Sequence, residues 1–121
     1  MTITVEQVKR SYAGLRRAKQ HLYTATENET LTRGALERAR LEGLTSGVIT
    51  GKNDAEREAC ARALRPDLYE DAAICSTCAR AARHHHELAA LAVEELRALL
   101  RLDELAAYTQ TGVTPPSHHG G

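Results

Sequence analysis

The chain has 121 residues, enough for one domain, with a formal net charge of zero and neither Phe nor Trp. With only four Tyr to supply aromatic area, its composition argues against a rounded globule, and Ala, Leu, Val and Ile must make the core. Three cysteines are too few for a secreted disulfide framework, and no stretch approaches the ~18 apolar residues of a membrane span.

The start, Met1-Thr2-Ile3-Thr4, lacks a basic and then apolar leader, so we expect a cytoplasmic chain with reduced thiols. Thr4 and Gln7 fit a capping box, in which hydroxyl and amide satisfy each other's orphan N–H groups. Val5, Val8, Tyr12, Leu15 and Leu22 follow on one helical face. The pattern weakens from Thr24 to Thr32 and resumes at Leu36. A helix is therefore expected over about 5–43, either continuous or broken near 28–33 with Thr30 as a new cap.

Gly43, Gly47 and Gly51 mark a turn, with Gly43 expected to end the first helix. The run Gly47-Val48-Ile49-Thr50-Gly51-Lys52-Asn53 is one residue short of a phosphate loop. Asn53 also stands where that motif needs a hydroxyl. We read it as a helix–helix turn in which Asn53, with Glu56, caps a short helix over 54–64. Pro66 should push Arg65 out of helical geometry and begin the long helix, which we place over 67–108.

That last stretch contains no Gly or Pro and is rich in Ala, Leu, Glu and Arg. Cys75, Ala79, Ala82, His86, Ala89, Val93, Leu96 and Leu100 recur in it at steps of four and three. This is the seam of a helix packed along another helix, and we expect it to serve a homo-oligomer. Beyond Tyr108, residues 109–121 read as a disordered tail. The fold expected is all-α: a long antiparallel helical hairpin, coiled-coil-like and oligomeric, with a short extra helix after the Gly-rich turn.

Charge is unevenly spread. Residues 1–52 carry nine Lys or Arg against five Asp or Glu, and residues 53–121 carry seven against eleven. Lys9, Arg10, Arg16, Arg17 and Lys19, with Tyr12 among them, form a basic patch. Such a patch can track phosphates while the ring stacks on a base, or can face an acidic helix of its own chain. Cys75-Ser76-Thr77-Cys78 places two thiols at i and i+3. With Cys60 and His86 it offers a zinc set as an alternative, though Cys75 and Cys78 also fit as small seam residues. His84 and His85 should face outwards while His86 joins the seam. No nucleophile–base or paired-carboxylate arrangement is legible, so no catalytic residue is expected and no cofactor other than zinc is considered.

The turn Gly47-Val48-Ile49-Thr50-Gly51-Lys52-Asn53, continued by Arg57, resembles one in small helical proteins of tailed bacteriophages and prophages. Its pattern there is G-x-I-x-G-K-N-x-x-x-R. Leu64, Leu68, Tyr69 and the run from Glu95 to Leu102 fit the same layout, so the resemblance covers about residues 35–105. Some of these proteins are similar to phage recombination mediators, which oligomerise and help load a recombinase onto single-stranded DNA. The resemblance implies a non-enzymatic accessory protein whose partner is single-stranded DNA or a recombination protein. A virion or protein-interaction scaffold built on helix packing is the alternative, and the location is then the bacterial cytoplasm or the virion.

Overall fold

A computed structural model describes residues 2–111, with the side chain of Thr111 outside that description. Three helices make up the described chain: α1 (Val5–Ser46), α2 (Asp54–Leu64) and α3 (Pro66–Thr111), with no strand among the described residues. Contacts divide it into two units. A middle unit takes Lys19–His84, and a terminal unit takes the residues up to Ala18 together with those from His85 onward.

In the middle unit α1 and α3 run antiparallel. Leu22 and Ala25 of α1 pack on Ala79 and Ala82 of α3, and Glu29 of α1 pairs with Arg83 of α3 at 3.8 Å. Further along α1, Arg40 and Gly43 share a cleft with Tyr69, near the start of α3. Small side chains at the contact allow the two helix axes to approach closely. The architecture is the expected all-α helical hairpin with a short helix after the turn.

In the terminal unit Ala18 and Val93 are buried, and the Ile3 N–H donates to Asp103 Oδ2 at 3.3 Å. Thr4 begins α1 by reciprocal capping: its N–H donates to Gln7 Oε1 at 2.8 Å, and the Gln7 N–H donates to Thr4 Oγ1 at 3.1 Å.

The structure resolves one open alternative of the sequence reading and corrects two of its details. First, α1 runs through 28–33 unbroken. Thr26, Thr30 and Thr32 donate their hydroxyls to carbonyls three or four residues back, so polar side chains that favour turns are satisfied inside the helix. Second, α1 does not end at Gly43 but continues to Ser46. Gly47, at φ +83°, is the left-handed residue that stops it, and its N–H donates to the Leu44 carbonyl. Gly43 instead provides space: a Cβ there would lie 2.5 Å from Ile49 Cδ1, so its absence lets Ile49 fold back and bury itself.

Third, α3 continues past Tyr108 to Thr111, and the Thr109 hydroxyl donates to the Leu105 carbonyl. The rest of the expected tail, 112–121, lies outside the described residues. As expected, Arg65 leaves helical geometry at φ −134° and ψ 63° and Pro66 begins α3, one residue ahead of the bound placed at 67.

Candidate functional site

The turn and α2 are held in place by several local devices. The Glu56 N–H donates to Asn53 Oδ1 at 2.9 Å, making Asn53 the cap of α2. The Glu56 carboxylate reaches back one residue further, accepting from the Lys52 N–H at 2.7 Å. A Cβ on Gly51 would fall 2.7 Å from the Arg57 nitrogen, so the turn passes too close to α2 for any other residue. Lys52 and Asn53 thus serve the start of a helix, and the phosphate-loop likeness of this stretch has no further structural expression.

α1, the turn, α2 and the start of α3 meet around a cleft of about 470 Å³ in the middle unit. Leu36, Ala39, Ile49, Ala61 and Leu64 give it an apolar lining, and Arg40, Glu42, Ser46 and Arg65 bring polar groups. A charged chain links the three helices beside it. Arg40 of α1 pairs with Glu58 of α2 at 2.9 Å, and Arg62 pairs with the same carboxylate at 3.4 Å. The Arg62 guanidinium also lies 4.5 Å from the centre of the Tyr69 ring on α3. The Tyr69 hydroxyl is buried and makes no hydrogen bond among the described residues. Burial pushes its pKa up, and the neighbouring Glu58 carboxylate pushes it the same way.

The basic patch stands apart in character. Lys9, Arg10, Arg16, Arg17 and Lys19 are all exposed on α1, and none is in an ion pair with another described residue. The alternative in which they face an acidic helix of the same chain therefore has no pair to support it. Tyr12 and Tyr23 are 37% and 70% exposed on the same helix. At helical spacings of three and four, Lys9, Tyr12 and Arg16 share a face in the terminal unit, and Lys19 and Tyr23 share one in the middle unit. Sequence reasoning missed Tyr23, although its spacing from Lys19 was the available signal.

The seam residues fall in both units. In the middle unit Ala79 and Ala82 are buried against α1 of the same chain, and Cys75 is half-buried. In the terminal unit Val93 is buried, and His86, Ala89 and Leu96 are half-buried. Leu100, at 36% exposure, sits at the seam's edge, while Leu99 and Asp103 are half-buried. The line turns towards Asp103, which accepts from the Ile3 N–H.

The three cysteines are free thiols. Cys60 donates to the Val48 carbonyl at 3.5 Å, and Cys78 is exposed. Among the described residues no group of three or more His, Cys, Asp or Glu side chains is gathered to hold a metal ion, so Cys60, Cys75, Cys78 and His86 do not form one set. Among the described residues no helix is long and apolar enough to cross a membrane.

No protein family matches the chain, and no characterised protein or solved structure matches it either.

Proposed function

We propose that this is a non-enzymatic phage accessory protein that binds single-stranded DNA along the first half of α1, in the service of recombination in the bacterial cytoplasm. The observation that carries this reading is the set of exposed cations of α1 that make no ion pair with another described residue, interleaved with exposed tyrosines: Lys9, Tyr12 and Arg16 in the terminal unit, Lys19 and Tyr23 in the middle unit. Cations along a helix engage successive phosphates and release counterions, while tyrosine rings stack on bases without regard to sequence. The resemblance of the Gly47–Arg57 stretch to phage helical proteins supports the same reading.

Fluorescence anisotropy with a labelled oligothymidylate tests it. Affinity should fall as salt rises, with a log–log slope of about −2 to −4 for three to five phosphate contacts. Arg16→Glu with Arg17→Glu should weaken binding at least tenfold and flatten that slope. No binding at low salt would defeat the proposal.

A second reading, a virion or interaction scaffold, draws on a different observation. Leu31, Leu41, Val48 and Ile74 of the middle unit are more than half exposed, close to what a partner protein would cover. Co-purification of this chain with intact particles, in the absence of DNA binding, would favour it.

A further inference from the structure

α3 carries a second line of apolar residues that no described residue covers. In the terminal unit Leu88, Leu91, Leu102 and Leu105 are 51%, 58%, 61% and 44% exposed. With Glu95 and Ala98, both exposed, they recur at steps of three, four, three, four and three, the spacing of a coiled-coil seam. This line lies well round the helix from buried Val93, so α3 has one face already used and another equally regular face left open.

We infer that this open face pairs with the same face of a second copy, antiparallel about a twofold axis between Glu95 and Ala98. The face is complementary to itself. In an antiparallel pair centred there, Leu88 meets the partner's Leu105 and Leu91 meets the partner's Leu102. Glu95 falls beside the partner's Ala98, whose small side chain leaves the carboxylate a path to water.

Charge fixes the direction. Glu94 and Arg101 flank the line on one side, are exposed, and make no ion pair with another described residue. In the antiparallel pair Glu94 comes beside the partner's Arg101, and the symmetry repeats the contact. A parallel pair would instead stack Glu95 on Glu95 inside the seam and leave Arg101 opposite alanine, so it is disfavoured. The inference is independent of DNA binding, because every residue it uses lies on α3.

Light scattering of the full chain over a dilution series, with circular dichroism on each variant, tests it. The wild type should weigh two chains at high concentration and one on dilution. Glu94→Arg alone, or Arg101→Glu alone, turns both cross-pairs into like-charge contacts. Either should raise the dissociation midpoint about tenfold, the value of roughly 1.4 kcal/mol. The double variant, E94R with R101E, should recover the wild-type midpoint. Mixing the two single variants should also give a two-chain species, because each then meets its complement. Leu91→Glu should leave helix content intact and abolish pairing. A wild-type chain that stays monomeric throughout overturns the inference. So do single charge variants that do not weaken pairing, or a mixture and a double variant that fail to restore it.

Discussion

The middle and terminal units are built on the same two long helices, but they are held in different ways. In the middle unit Ile49, Ala61, Ala79 and Ala82 are buried. Glu58 gathers Arg40 and Arg62, Glu29 takes Arg33 and Arg83, and Gly51 lets the turn approach α2 closely. In the terminal unit Ala18 and Val93 are the buried residues, and the ion pairs between described residues all lie elsewhere. Its leucines at 88, 91, 102 and 105 point apolar area at solvent instead. Two helices joined through so little buried area are marginal alone, so the pairing proposed for the exposed leucine line would stabilise this unit.

The largest expected effect comes from breaking the middle unit at its tightest point. Gly51→Ala places a Cβ against the backbone of Arg57 and Glu56 and should cost about 2–3 kcal/mol in thermal or urea unfolding. The same substitution in the terminal unit should have the opposite sign. Gly14 is helical and a Cβ there meets nothing within 4 Å, so Gly14→Ala should stabilise by about 0.5–1 kcal/mol. If both changes moved stability in the same direction, the contrast between the units would be wrong.

A smaller effect sharpens the picture of the cleft. Tyr69→Phe removes a buried hydroxyl without a partner and should be neutral or stabilising by up to about 1 kcal/mol. A loss of stability would mean that the hydroxyl has a partner in solution.

The smallest effect concerns the exposed pair across Pro66. Arg65 Nε and Nη2 donate to the two Asp67 carboxylate oxygens at 3.2 and 3.1 Å. Those hydrogen bonds from Arg65 hold the Asp67 pKa below its ordinary value, against a desolvation penalty. A carboxylate lowered in the folded state contributes above its unfolded pKa, and the contribution is lost as pH falls through the folded one. Melting curves of wild type and Asp67→Asn should therefore differ slightly at neutral pH, begin to approach each other near about pH 4, and meet once pH has fallen through the lowered Asp67 pKa. A gap that persisted at low pH would show that the pairing is not what separates them.

Much of the fold was legible because its signals are local. Thr4 with Gln7, Asn53 with Glu56, and Arg65 before Pro66 each act within a few residues, so their sequence context suffices to place them. What was not legible depends on chain segments that meet only in space. Gly43 resembled a helix end because nothing nearby in sequence says that Ile49 folds back onto it. The cleft was invisible for the same reason, since Leu36 and Tyr69 belong to different helices. The second leucine line was in plain view, but period alone does not say which of two seams the chain's own helix will cover.

Amide hydrogen exchange as a function of protein concentration tests the contrast between the units most directly. The account predicts that protection over residues 88–105 rises with concentration as the leucine line is covered, while protection over 54–84 stays constant. Protection over 88–105 that did not change with concentration would contradict it.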